Sequence, residues 1–409
     1  MYGAERWHGR RNVRRPRAAP YNRRVIDVVI VGGGPAGLLT AARLAESGLD
    51  VVVLEEHARI GAPVHCTGIV SLEAAELAKI PDDVVLNRLV RARFVGPGGV
   101  TADHEWVAGD GILAIDRGAF DAELARRAGE AGAEIRTGTR ADDVEVGAEA
   151  AAVHTAAGVV RARACVLACG VSYRFQRQLG LGLPGLAIHT AQTEVDARPA
   201  DVVHVHFGRG VAPDGFAWTV PVTREGRPRL KVGVMATGNA GACLTRFLER
   251  PELRARLLEA PAPPVRRLLP LRPIARTFAE RVLVVGDAGG FTKPTTGGGI
   301  FYSLLTASLA AETLVEAFAA WRLDAVTLAA YEQRWQAQLG GELRVADWLR
   351  TLVTRCSDAE IDRLVQALGA ADVHALVQRT ARFNWHGDLI VTLLRQPRLA
   401  SLLFRTLFR

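Results

Sequence analysis

The sequence predicts an α/β chain with a Rossmann-type nucleotide-binding core, an inserted antiparallel sheet and a helical C-terminal region. Three patterns point to it. A β-branched run at Val25–Val31 passes into a glycine cluster and then an Ala- and Leu-rich stretch, the order strand, turn, helix. Segments between residues 186 and 236 alternate with period two, as an antiparallel sheet with one buried face requires. Beyond residue 300 the pattern is almost wholly helical. The 409 residues are 49% hydrophobic, enough to core two or three domains.

The first strand alternates little and is β-branched, as a doubly covered parallel strand should be. Gly32 permits the tight turn, Gly34 lets backbone approach a pyrophosphate, and Gly37 allows close helix–strand packing. Gly32, Gly34, Pro35, Ala36 and Gly37 are therefore candidate cofactor contacts. The helix they open supplies unpaired N–H groups and a positive dipole end. Gly48 closes that helix and Val51–Leu54 is the next strand. Glu55 follows Gly32 by 23 residues, where a carboxylate accepts hydrogen bonds from adenosine ribose hydroxyls and disfavours a 2′-phosphate.

A loop rich in Gly, Pro and Thr is expected over 60–72 and a helix over Ala119–Ala131. Strands are expected at Ala133–Arg136, Asp142–Val146, Ala151–His154 and Val159–Leu167. Alternating strands follow at Ala187–Val195, Val202–Phe207, Phe216–Val222 and Leu230–Val234, with Phe216 and Trp218 on one face. Those rings either line an apolar tunnel or fill the core.

Two further glycine segments separate an NAD site from a flavin adenine dinucleotide (FAD) site. Arg281–Val285 reads as a strand ending in Gly286-Asp287, where an acid can bind a sugar or ribityl hydroxyl. Lys293-Pro294-Thr295-Thr296 then leads into Gly297, Gly298, Gly299 and Ile300, the start of a helix running to about Ala320. Pro294 and the threonines are good helix-entry and capping residues. Three glycines without side chains let a flat ring lie against backbone, whose N–H groups stabilise negative charge on it. The apolar run 300–321 carries Glu312 and Glu316 and is expected to be a buried helix.

Composition bounds the rest. Five cysteines (66, 165, 169, 243, 356) show no disulfide, zinc or iron–sulfur spacing, so no metal is expected and a reducing cytosol fits best. The net charge is +8, and residues 1–24 hold eight arginines against one acid, Glu5. That tail reads either as a disordered extension or as a segment drawn to anionic lipid head groups. It has none of the aromatic interleaving of a nucleic-acid binder. The segment Pro397–Arg409 mixes Leu and Phe with three arginines and suits peripheral membrane contact or packing on the body.

GGGPAG with Glu55, Pro63-Val64-His65-Cys66-Thr67-Gly68, Gly286-Asp287 and KPTTGGGI occur here together. With them stands Pro213-Asp214-Gly215-Phe216-Ala217-Trp218-Thr219-Val220-Pro221. In these segments, from about residue 25 onward, the chain resembles the FAD-dependent geranylgeranyl reductase family, within the aromatic-hydroxylase-like flavoproteins. Phe216 and Val220 stand where that family's pocket motif has tyrosine and phenylalanine. The resemblance implies a glutathione-reductase-like FAD-binding domain assembled from 25–72, 108–175 and 270–320. It implies a substrate-binding domain from 73–107 and 176–269 and a helical region over 321–409. Cys66 is implied to lie near the isoalloxazine ring, Arg117 near the pyrophosphate and Gly170 beside the dinucleotide. Phe216, Trp218 and Pro221 are implied to bound the substrate. Cys66 is alternatively a small buried thiol, His65 either a proton donor or structural, and Arg117 alternatively a helix-start partner of a carboxylate.

The implied reaction is reduction of isolated C=C bonds in a prenyl lipid, pigment or quinone side chain by hydride from N5 of reduced flavin. Two alternatives share the fold: an FAD monooxygenase of an apolar or aromatic substrate, and an electron-transfer flavoprotein feeding quinone. No second dinucleotide fingerprint is present, so the external donor, NAD(P)H or ferredoxin, stays open.

Overall fold

The computed structural model describes residues 24–106 and 111–396. The arginine tail before residue 24 and the segment Pro397–Arg409 lie outside the described residues, as do the membrane contacts expected of them.

Three sheets organise the chain. The first runs Phe278–Ala279, Val282–Val284, Gly158–Leu167, Val25–Val31, Val51–Leu54, Glu134–Arg136. Four of its five pairings in that order are parallel, and the first is antiparallel. Ala151–Thr155 and Ala141–Val146 extend it as an antiparallel flap. Helices Pro35–Glu46, Arg117–Glu130 and Ile300–Ala319 cover one face over a single apolar cluster. Val28, Ile30, Val51 and Val53 point into it, and Val29, Val31, Val52 and Leu54 into a second cluster opposite. That two-sided burial is why Val28–Val31 and Val51–Leu54 carry no charge. The helix Ile300–Ala319 is long and apolar enough by length alone to cross a membrane, but it is mostly buried inside the fold.

The second sheet is ordered Val265–Pro270, Ala187–Asp196, Arg227–Ala236, Phe216–Arg224, Val203–His206, Arg91–Val95, Thr101–Glu105. Its last two strands come from a stretch in which the alternation did not identify strands. They join through a parallel pairing of Val203–His206 with Arg91–Val95. A third, three-stranded sheet contains Ile69–Ser71, so the expected loop over 60–72 ends in a strand.

The sequence places Thr295 and Thr296 as helix caps, and the structure corrects this. The helix starts at Ile300 with Gly299 at its N-cap and no side-chain cap. Thr295 Oγ1 pairs instead with His386 Nδ1 at 2.8 Å, a contact across 91 residues. Helices Ala325–Val353, Asp358–Leu368, Ala371–Thr380 and Gly387–Leu394 complete the chain.

Candidate functional site

The turn after the first strand is built as its glycines require. Gly32 has φ +112, and a Cβ there would meet the Ala168 carbonyl oxygen at 2.3 Å. A Cβ on Gly37 would meet the Gly32 oxygen at 2.1 Å, so these two positions seal helix to strand. Gly34 differs: a Cβ there meets nothing within 4 Å, because this backbone faces a cavity. Gly170, at φ +58, is equally open and lines the same space. Glu55 Oε2 accepts from Gly33 N–H at 2.8 Å, while Oε1 accepts from the backbone and ring nitrogens of His57. The acid is thereby held at the rim of the glycine turn.

The cavity measures about 1230 Å3 and gathers most residues singled out in the sequence. Gly32, Gly34, Pro35, Ala36, Glu55, Cys66, Arg117, Gly170, Asp287 and Gly297–Ile300 line it at one end, and Phe216 and Trp218 farther along. Three expected contacts lie off it. Gly37 serves packing. Gly286, at φ +60, abuts Ala36 and Ser303. Pro221 is buried on the other face of its strand, its carbonyl accepting from Asn87 Nδ2 at 3.0 Å. Strand alternation puts Val220 on the cavity in its place.

Arg117 ties the first end together. Its guanidinium donates twice to Asp121, at 3.1 and 2.9 Å, and lies near Cys66. Both readings of Arg117 therefore hold in part: it is paired with a carboxylate, and it faces the cavity. Burial pushes the Asp287 carboxyl up to about 6, against the pull of Arg117. With an ordinary value of 3.8, this group holds a proton in the fold that the unfolded chain has released between those pH values. Stability of flavin-free protein therefore declines as pH rises from about 3.8 to 6. Urea unfolding of wild type and Asp287→Asn across that window checks this: the difference between them is expected to shrink at the acid end.

His65 sits at the cavity edge with Nε2 accepting from the Arg267 guanidinium. Burial, then Arg267, lowers its pKa to about 4, so it is a neutral imidazole at pH 7.

Two buried lysines were not identified from sequence. Lys231 is 5% exposed and donates to the carbonyls of Thr67 at 2.6 Å and Ile115 at 3.0 Å. It pins the Cys66 loop, assisted by Thr67 Oγ1 donating to Gln192 at 2.8 Å. Burial lowers its pKa to about 8. Its signal was a lone cation within the apolar run LKVGVMA. Lys293, 2% exposed, reaches from beneath Gly298 to the Phe383 carbonyl at 2.6 Å and stands 4.1 Å from that ring centre. Asn384 bridges onward to Ser71 and Glu73, and Glu342 accepts from the backbone N–H groups of His386 and Gly387. The glycine turn is thus tied to the segment 383–387, which joins the helices Ala371–Thr380 and Gly387–Leu394.

Beyond the turn the cavity is mostly apolar. The second sheet presents aromatic rings in sequence: Phe94 to Phe207 at 6.4 Å, Phe207 to Phe216 at 6.2 Å, Phe216 to Trp218 at 5.7 Å between centres. Gly233, opposite Trp218 across the strands, leaves room for the indole: a Cβ there would lie 2.2 Å from Cζ2. Helix Asp358–Leu368 faces this wall with Ile361, Leu364, Val365 and Leu368. At the junction, a Cβ on Gly297 would meet Leu269 at 2.4 Å and Met235 Sδ at 3.1 Å. The turn and the apolar chamber are therefore continuous. Among the described residues no group of three or more His, Cys, Asp or Glu side chains could hold a metal.

A glycine turn open to a cavity, an acid at its rim and two more backbone turns on the same space define a nucleotide-dependent oxidoreductase of the FAD-binding flavoprotein fold. The comparisons agree. The chain is 32% identical to digeranylgeranylglycerophospholipid reductase 2 of Methanothermobacter thermautotrophicus over 86% of its length and 93% of that protein. It is 33% identical to the Methanopyrus kandleri protein of that name, over 86% and 92%. The chain belongs to the geranylgeranyl reductase family. A family model described as lycopene cyclase protein matches residues 27–225. Among solved structures, a geranylgeranyl bacteriochlorophyll reductase-like protein of Thermoplasma acidophilum superposes with TM-score 0.80 at 22% identity, covering 93% of this chain and 99% of that one. A p-nitrophenol 4-monooxygenase of Pseudomonas putida gives 0.70 at 20% identity, over 87% and 97%, and shares the fold.

Proposed function

We propose that this protein is an FAD-dependent reductase of isolated C=C bonds in a prenyl chain. The observation that carries it is the apolar, aromatic-walled chamber opening directly onto the glycine turns. The wall's rings and aliphatic side chains suit a prenyl chain, which needs only burial. The residues fit FAD: Gly34 and Gly170 leave cradle space that a side chain would enter, Glu55 stands where ribose is held, and Asp287 and Gly297–Gly299 meet at the chamber. FAD, when bound and reduced, supplies the hydride.

This chain's residues supply the rest. The parts drawn from 25–72, 108–175 and 270–320 hold the cofactor, and those from 73–107 and 176–269 hold the substrate. Phe216, Trp218 and the helical wall keep water out and hold the alkene in place. Their ring faces favour the positive charge that develops as the alkene takes a proton. His65, neutral and accepting from Arg267, is a poor acid, which leaves Cys66 on the cavity, a water or the flavin itself to supply the proton.

Anaerobic incubation of dithionite-reduced, FAD-loaded protein with geranylgeranyl lipids is expected to add one H2 per double bond by mass. No mass gain across lipid, alcohol and quinone substrates overturns the proposal. Repeating the assay with NADH, NADPH and reduced ferredoxin assigns the donor.

A further inference from the structure

Among the polar residues that interrupt the largely apolar lining, one stands on the strand farthest from the glycine turns. His104 lies on the edge strand Thr101–Glu105 and is 9% exposed. It lines the same cavity as the glycine turns. Its cross-strand neighbour is Ala92, followed by Val203. The adjacent row across the sheet is Ala102, Phe94, Val205, Trp218, Gly233, Gln192. Trp106 meets the imidazole edge-on at 4.9 Å and 87°, which fixes the ring plane. His374, on helix Ala371–Thr380, stands 6.4 Å away between ring centres. Neither ring nitrogen of His104 has a hydrogen-bond partner among the described residues; Nδ1 is sealed off, which leaves Nε2 as the atom to meet a ligand in the cavity. Buried polar groups nearly always find a partner. Burial, then His374, lowers the pKa of this ring, so at pH 7 it is a neutral imidazole with one donor and one acceptor.

Its position sets a length. The strand Arg227–Ala236, whose Met235 touches the flavin-side turn at Gly297, lies four strands from Thr101–Glu105. At roughly 4.8 Å per strand that is about 19 Å of apolar wall. This is on the order of one extended geranylgeranyl chain.

We propose that His104 is a specificity-determining residue that hydrogen-bonds the oxygen at the head of the prenyl substrate, at the chamber end opposite the glycine turns. This rests on the prenyl-reductase reading and adds to it a polar register point. Pinned there, the chain presents its double bonds farthest from the oxygen to the flavin end first. A hydrocarbon of the same length has no such anchor and slides freely.

The test compares geranylgeraniol with the matching hydrocarbon lacking oxygen, using wild type, His104→Phe and His104→Gln. His104→Phe keeps a ring against Trp106, and flavin content and Tm equal to wild type establish that each variant is folded. Binding is read by quenching of tryptophan fluorescence from Trp106 and Trp218 at the chamber wall, independently of turnover. Wild type is expected to bind the alcohol about tenfold tighter than the hydrocarbon, the worth of one buried hydrogen bond. His104→Phe is expected to lose that preference by weakening the alcohol alone, and His104→Gln to restore part of it. Mass-spectrometric mapping of the first bond reduced is expected to show one dominant position in wild type and a spread in His104→Phe. A preference unchanged in His104→Phe, or absent in wild type that binds both ligands, overturns the role of His104 alone. Wild type that binds neither ligand overturns the prenyl reading itself.

Discussion

Gly34→Asp is expected to give a folded, colourless protein. Gly34 has φ −82 and ψ 178, an ordinary extended conformation, and its Cβ direction is empty. Aspartate is among the best N-cap residues, so apo stability should hold or rise by about 1 kcal/mol. The same carboxylate would stand at the helix N-terminus where a pyrophosphate binds, adding like charge and filling its space. The expected loss of FAD affinity is at least about a hundredfold, roughly 3 kcal/mol. Flavin absorbance after loading, with Tm of the apo protein by circular dichroism, checks both halves. Gly37→Ala is the contrast, because its Cβ would strike the Gly32 oxygen and destabilise the fold itself. A yellow Gly34→Asp protein with wild-type affinity would remove the glycine turn from the cofactor site.

Glu342→Leu carries the second large effect. Its carboxylate accepts from His386 N–H at 2.6 Å and Gly387 N–H at 2.8 Å. It is also the foremost carboxylate in the field of buried Lys293, whose pKa burial has lowered to about 7. Removing it leaves two amides without an acceptor and one cation poorly compensated, a loss of about 3–5 kcal/mol. Adding Lys293→Met should recover part of that loss, since the two residues share one network. Urea denaturation of the single and double variants measures it. Hydrogen exchange is expected to rise first in 383–387. A single variant within about 0.5 kcal/mol of wild type would show that the network does not hold the segment 383–387 in place.

The nucleotide core was legible because its physics is local. Apolar β-branched runs, glycines at close approaches and an acid at fixed spacing each leave a mark within a few residues. The aromatic strand was legible by alternation, which also explains Pro221: a residue one step from Val220 cannot share its face. The contacts that were hidden join distant segments. Lys293 with Phe383, Thr295 with His386, and Val203–His206 with Arg91–Val95 are set by how elements pack, and no short window of sequence carries them. Thr295 looked like a cap because its local chemistry fits one, and the tertiary partner prevailed. His104 was passed over since a single histidine in TADHE has nothing in sequence to set it apart.

The parallel join between Val203–His206 and Arg91–Val95 has a consequence for synthesis on the ribosome. The aromatic wall cannot be completed until more than a hundred residues separating its strands have been made, and its helical cover emerges later still. Such non-local pairing is slow and leaves greasy surface open in the interim. The nascent chain is therefore a natural client for chaperones. Expression at low temperature or with added holdase should raise the soluble yield more than any change to the nucleotide-binding half.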